Sequence, residues 1–295
     1  MSLFKRKKIL VTHNGTFHAD DIFATAVLSI LNNGNIKIIR TRDPKYFQIG
    51  DYVYDVGCVY NPEKNKFDHH QAGGAGIREN GIPYASFGLV WKRYGEEICG
   101  SYEVAKEIDQ RLVCPVDAND NGMNLFTVDG TIAPYILQDV FFCFRPSWKE
   151  EQDYDKPFFE VVKIAEKILL REIKKMGHTL EAKDFVKNAY EKSIDKKIVI
   201  IDGPYPWHDI LGDYPEPIYA IFPKTDTWRV ECVRKYKYSF ENRKSLPESW
   251  AGLRDIELAK VTGVADATFC HNGRFLAVAK SKEGALMLAR KALEN

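Results

Sequence analysis

The chain has no cysteine framework. Its six cysteines (Cys58, Cys99, Cys114, Cys143, Cys232 and Cys270) are scattered, with no CxxC pair among them. That excludes a zinc ribbon and a disulfide scaffold, and it predicts reduced, mostly buried thiols. An excess of either charge is also missing: 42 Lys and Arg against 41 Asp and Glu leave a formal net charge of +1. With no global attraction to nucleic acid or anionic membrane, any polyanion site must be a local patch. No apolar run approaches the ~20 residues of a membrane span. The basic start Met1–Lys8 leads into only a short apolar stretch, without the h-region of a signal peptide, so the cytoplasm is the expected compartment. No internal repeat or low-complexity tract is visible, which excludes a solenoid. What remains is 295 residues of ordinary composition, 45% hydrophobic and 28% charged, long enough for two domains.

The patterning is that of an α/β protein. Lys8-Ile-Leu-Val-Thr12 reads as a buried strand, and a polar loop then opens a helix near Asp20 with Ile22, Phe23, Ala26, Val27, Ile30 and Leu31 at helical spacing. Asn32-Asn-Gly-Asn35 stops it, and Ile36–Arg40 is the next strand. Val53-Tyr54 ends a third strand, and Lys66-Phe67 is a short fourth. Strand, helix, strand with short loops predicts parallel pairing under helices. Helical patterns follow over 84–113 (broken between Gly95 and Gly100), 132–140, 158–176 and 180–194. Strand-like runs then recur at 198–202, 218–222, 229–233, 267–270 and 275–279, closed by an amphipathic helix over 283–293. The expected organisation is a parallel-sheet domain over 1–195 and a smaller α+β domain over 196–295.

Four short segments concentrate imidazoles and carboxylates. They are Thr12-His-Asn-Gly-Thr-Phe-His-Ala-Asp-Asp21, Asp51-Tyr-Val-Tyr-Asp-Val-Gly57, Phe67-Asp-His-His-Gln71 and Val116-Asp-Ala-Asn-Asp-Asn-Gly122. A lone His after a strand is usually an ordinary histidine, and a lone Asp is usually a helix cap, a role open to Asp20 or Asp21. Four such segments in strand-end order are harder to dismiss. In open α/β sheets ligands sit beyond the carboxyl ends of the strands, so His13, Asp55 and the Asp68-His69-His70 run would project into one crevice. Mixed imidazole and carboxylate donors suit manganese, cobalt or zinc better than calcium. Two such ions need a bridging carboxylate, and Asp55, alone at its strand end, is the candidate. In an extended stretch His69 and His70 point to opposite sides, so one is expected at the metal and the other at a substrate phosphate or leaving group.

These motifs resemble the DHH phosphoesterase superfamily and, more narrowly, the melanocyte proliferating gene one family. Pro247-Glu-Ser-Trp-Ala-Gly-Leu-Arg254 and Phe269-Cys-His-Asn-Gly-Arg-Phe275 extend the likeness to nearly the whole chain. The resemblance implies a DHH-type fold and a metal-dependent 3′–5′ RNA exonuclease. It puts His13, His18 and Asp55 on one ion, Asp20, Asp55, His69 and Asp117 on the other, and His70 towards substrate, with Asp55 and His70 the catalytic pair. Two divalent ions are implied, manganese first, with magnesium, cobalt and zinc as alternatives. Many superfamily members carry Asp-x-Asp where this chain has His18-Ala19-Asp20. Asp21 competes with Asp20 for the ligand role, and Asp120 with Asp117.

In the C-terminal region Asn272-Gly273 between apolar strands predicts a hairpin. By the same resemblance His271 and Arg274, with Arg254, are placed to hold substrate phosphates, Arg being able to grip one with two parallel hydrogen bonds. Arg234-Lys-Tyr-Lys237 and Arg243-Lys244 interleave with Tyr236, Tyr238 and Phe240, a pattern that suits single-stranded RNA and equally a solvated face. Gly73-Gly-Ala-Gly76 and Arg78 suggest a lip beside the histidines, or only a turn. The family resemblance makes single-stranded RNA the expected partner. The alternatives are a small phosphoester (pyrophosphate, an oligoribonucleotide or a cyclic dinucleotide) cut by a phosphatase, and RNA bound without turnover.

Overall fold

The structure, a computed structural model, describes residues 6–127, 130–237 and 239–295, so Tyr238 of the basic-aromatic run lies outside the described residues. It is an α/β protein with two five-stranded sheets flanked by helices, in two compact units, Met1–Gly177 and His178–Asn295.

The first unit runs β1 (Lys8–Thr12), α1 (Ala19–Leu31), β2 (Ile36–Arg40), α2 (Lys45–Ile49), β3 (Tyr52–Tyr54), β4 (Tyr60–Asn61), β5 (Lys66–Phe67), α3 (Ser86–Cys99), α4 (Tyr102–Ile108), α5 (Cys114–Asp120), α6 (Leu137–Phe142) and the start of α7 (Asp155–Lys192). Its sheet has the order β2-β1-β3-β5-β4, parallel except for the edge strand β4. β1 reads as an unbroken apolar run because it is central, with Leu10 and Val11 wholly buried. Helix α1 is buried on nearly every side, and Phe23 stacks on Phe87 of α3 at 5.0 Å between ring centroids. The chain leaves β1 for β2 on one side and returns to β3 on the other, so the crevice between the ends of β1 and β3 is a topological switch point.

The second unit holds β6 (Ile198–Ile200), α8 (His208–Gly212), β7 (Tyr219–Lys224), β8 (Thr227–Cys232), α9 (Asp255–Thr262), β9 (Ala267–Cys270), β10 (Leu276–Ala279) and α10 (Lys282–Glu294). The order is β6-β7-β8-β10-β9, with only β6 and β7 parallel. One core packs Tyr219, Ile221, Val230, Trp250, Leu258 and Leu288, and a second gathers Val199, Trp207 and Leu211.

Several elements differ from the sequence reading. The patterns over 158–176 and 180–194 form the single helix α7, which continues through Gly177. A glycine in a helix costs only about 1 kcal/mol against alanine, and the flanking lysines, leucines and glutamates are strong helix formers. The division between the units falls inside this helix, at 177/178; the expected boundary at 195/196 lies just beyond its end. Helix α3 passes Gly95, where a Cβ would come within 2.8 Å of the Trp91 indole, and ends at the left-handed Gly100. The expected helix over 132–140 begins only at Leu137, because Pro134 pushes the preceding residue towards extended backbone. The cysteines are free, but only Cys114, Cys232 and Cys270 are buried, while Cys58 and Cys143 are exposed. Among the described residues no helix is long and apolar enough to cross a membrane.

Candidate metal centre

β1 delivers His13 to the switch-point crevice, and β3 delivers Asp55 beside it. Asp55 holds a left-handed backbone (φ 54°), which turns the chain sharply at the strand end. His13 Nε2 lies 3.1 Å from Asp55 Oδ2 and 3.2 Å from Asp21 Oδ2. His69 Nε2 lies 3.4 Å from Asp55 Oδ1 and 3.3 Å from Asp120 Oδ2. Asp55 thus stands between two imidazoles, the position a bridging carboxylate needs.

The local sequence explains how these groups are held. Asp68, buried, accepts from the backbone N–H of His69 (2.8 Å) and of His70 (3.1 Å), and pairs with His70 Nδ1 at 2.7 Å. Cys58 N also donates to it, at 2.5 Å. The aspartate of this motif is therefore the clamp that aims both rings. Asp21 accepts from His18 N at 2.8 Å, the reach-back contact of a capping box, while its other oxygen faces His13. Asp20 accepts from Ser86 N (3.1 Å) and Phe87 N (2.6 Å), capping α3 from across the crevice. The two aspartates left open by the sequence are both caps, of different helices, and both lie at the centre.

Asp117 and Asp120 are sharply distinguished. Asp117 is wholly buried, accepts from Gly88 N at 3.0 Å and is paired with Arg78 Nη1 at 2.7 Å. Arg78 also binds Asp109 at 2.9 Å and lies over the Tyr84 ring. Asp120, one helical turn on, faces His69. The sequence did not single out Arg78 as the partner of Asp117; the one available signal was Gly88, where a Cβ would fall 1.8 Å from Asp117 Oδ2.

Electrostatics follow from this crowding of buried carboxylates. Burial alone would lower His13, but the charges of Asp21 and Asp55 hold it up at about 10. Burial works against ionising Asp55, yet the His13 and His69 rings keep it well below the usual carboxylate range. Burial, with the charge of Asp120 added, pushes Asp20 far up; burial also lifts Asp117 to about 7 despite Arg78, and Asp120 to about 6 beside Asp55. Its pair with Asp68 raises His70, and burial lowers His18.

Three overlapping donor groups, each with its ligand atoms within 4.8 Å of one another, could hold metal: His13, His18 and Asp55; Asp55, His69 and His70; and Asp20, His69 and Asp120. Buried Asp21 Oδ2 and His69 Nε2 face charged groups at 3.2–3.4 Å without a well-formed hydrogen bond, unused donor capacity that a divalent cation would take up. The residues present therefore fit divalent metal. A crevice of about 420 Å³ opens above them, lined by His18, His70, Arg42, Cys58, Asn119 and Gln138. His70 is the ring that faces out, its side chain 57% exposed against 8% for His69.

Within the second unit, the β9–β10 hairpin forms with its left-handed residue at Arg274 rather than Gly273. His271 Nδ1 accepts from Gly273 N at 2.9 Å, and the Arg254 guanidinium lies 4.7 Å from the centre of the Phe269 ring.

A family model for MYG1 exonucleases, described as "Uncharacterised protein family (UPF0160)", matches residues 9–293. The MYG1 protein of Schizosaccharomyces pombe is 30% identical, covering 97% of both chains. The MYG1 exonuclease of Rattus norvegicus is 30% identical over 96% of this chain and 84% of that protein. The MYG1 protein of Chlamydia pneumoniae is 32% identical over 96% of each. Among solved structures, RecJ in complex with Mn2+ from Thermus thermophilus aligns with 98% of this chain and 52% of that one, at 11% identity and a TM-score of 0.29, too slight a likeness to transfer residues.

Proposed function

The chain belongs to the MYG1 exonuclease family, and from that premise we propose that it is a metal-dependent hydrolase of phosphoester bonds that shortens single-stranded RNA from the 3′ end, in the cytoplasm, with two manganese ions. The observation that carries the reading is Asp55, buried between His13 and His69 with Asp120 and Asp21 on their far sides. In this reading His13, His18 and Asp55 hold one ion, and Asp20, Asp55, His69 and Asp120 hold the other. Asp120 replaces Asp117 in that set because the Asp117 carboxylate is engaged by Arg78 and Gly88 N.

Two divalent ions at such a centre supply Lewis-acid stabilisation of charge on the phosphoryl oxygens. The chain's own residues do the rest. Asp68 fixes His70 so that Nε2 points outward, and because that pairing raises His70, the ring can donate a hydrogen bond to a phosphate oxygen or a proton to the leaving oxygen. Arg42, at the crevice wall, adds a guanidinium suited to a phosphate. In the second unit Arg254, His271 and Arg274 are assigned to the substrate's further phosphates. In this reading the metal-binding catalytic part is the region before β6 (1–195) and the substrate-binding part is 196–295, although the compact units divide earlier, at 177/178.

The test is hydrolysis of a 5′-labelled single-stranded RNA by metal-stripped protein, with manganese, magnesium, cobalt or zinc added back singly. The expected result is a ladder shortening from the 3′ end that requires metal and is lost in His69→Ala and Asp55→Asn. Intact RNA with release of phosphate from pyrophosphate or a dinucleotide would retain the centre and reject the exonuclease.

A further inference from the structure

A second cavity, of about 270 Å³, lies against the metal crevice and shares two of its walls, Asn119 and Gln138. Its other walls are of a different kind. Leu112, Val116, Leu125, Phe126 and Leu137 make it mostly apolar, Asn124 adds one more amide, and Arg111, paired with Glu172 at 3.2 Å, is the one charged side chain in the lining. Phe126 and Leu125 remain 41% and 49% exposed, apolar surface left in water beside a polar site, which marks ligand-binding ground better than fold-stabilising ground. Helix α5 joins the two spaces: Asp120 faces His69, and the preceding Asn119 stands in both linings.

We propose that this cavity receives the nucleobase of the nucleotide whose phosphate occupies the metal crevice. The inference rests on the phosphoesterase reading and gives its substrate class: a nucleotide ester, rather than inorganic pyrophosphate or a simple alkyl phosphate. A base has two apolar π-faces and a rim of donors and acceptors, so it needs slippery walls and a few amides at one edge. That is the composition found here, with the Arg111 guanidinium, already paired with Glu172, as the one addition. Ala19 N donates to Gln138 Oε1 at 2.6 Å, which fixes the amide group and leaves its NH2 as the donor side. The volume falls just under the ~300 Å³ at which drug-sized sites begin, enough for one heterocycle and too little for a stacked pair. Asn119 and Gln138 stand where sugar and phosphate would pass from one space to the other.

The test is calorimetric binding of a nucleoside 5′-monophosphate and of ribose 5-phosphate to the full-length, manganese-loaded protein, in wild type, Phe126→Ala and Leu112→Trp. The proposal expects the nucleotide to bind at least about tenfold more tightly than the sugar phosphate, in line with what one base stacking on one side chain contributes. It expects both variants to reduce that ratio towards one. Phe126→Ala alters a half-exposed side chain and keeps the test decisive if Leu112→Trp does not fold. Equal affinity for the two ligands in wild type, or a ratio that survives in both variants, would overturn the pocket. A protein that prefers the nucleotide yet cuts no phosphodiester keeps the pocket and rejects the hydrolase reading instead.

Discussion

His13 Nε2 lies 3.1 Å from Asp55 Oδ2, and the carboxylate of Asp21 stands at nearly the same distance on its other side. Held at about 10 by these two carboxylates, the ring is an imidazolium at neutral pH and supplies part of the positive charge that the cluster of aspartates needs. Metal must displace that proton, because only neutral imidazole binds it. Metal loading at pH 7.5 is therefore expected to release at least one proton, from His13, with the raised Asp20 adding to it where it ligates. Affinity should climb with pH as Asp120 ionises near 6 and go on climbing towards 10. Calorimetry in buffers of different ionisation enthalpy measures the release; a value of zero would contradict this account of His13.

The same groups set the stability of the metal-free protein. An acid whose folded pKa is raised favours folding while protonated, and that advantage is lost as pH rises through the folded value. Asp120 at about 6 and Asp117 at about 7 act in this way above pH 4. The raised His13 stabilises fully below 6.5 and loses its contribution towards 10, which is the same sign. Asp55, held low, opposes them only in strong acid. Thermal melts of chelated protein should fall by several degrees between pH 5 and 9, and saturating divalent metal should flatten that slope.

Arg78→Met should unfold the protein more readily by ~3–5 kcal/mol, since it leaves the buried Asp117 carboxylate without its charge partner, with only backbone N–H groups such as that of Gly88 to hold it. Adding Asp117→Asn to that variant should restore a large part of the loss. Denaturant titrations of the two single variants and the double variant form the necessary cycle; strict additivity would mean that the pair is not coupled.

Gly88→Ala should lower metal content as well as stability, because the new methyl would meet Asp117 Oδ2 at 1.8 Å and Arg78 Nη2 at 2.6 Å. Displacing that pair disturbs the base of the helix that carries Asp120. Elemental analysis after desalting compares the variant with wild type; full metal content would show that the helix absorbs the shift.

The paired histidines should separate by phenotype. His69→Ala should lose metal and activity together, whereas His70→Ala should keep metal and lose ~10²–10⁴ in turnover. Metal content and rate on a common substrate distinguish them, and metal loss from His70→Ala would place that ring among the ligands.

Much of this was legible in the residues themselves. β1, α1 and β2 carry unambiguous periods, and strand ends at a switch point locate His13 and Asp55 without further help. Short elements were not readable: β4 has two residues and α8 five, too few for a period to register. That Asp120 and not Asp117 faces His69 was closed to sequence, because Asp117 is paired with Arg78, reaching over from a loop 39 residues earlier. Gly177 misled for the opposite reason, being a local weakness that the surrounding helix formers overrule.

The left-handed backbone at Asp55 limits which inactive forms of this protein can be made cleanly. Alanine there would add a steric cost of ~1–2 kcal/mol to the loss of charge, so its failure would mix folding with chemistry. Asparagine tolerates the same backbone and matches the side chain in shape. Asp55→Asn is therefore the form in which an uncleaved substrate could be trapped, and the natural bait for recovering whatever the protein binds in the cell.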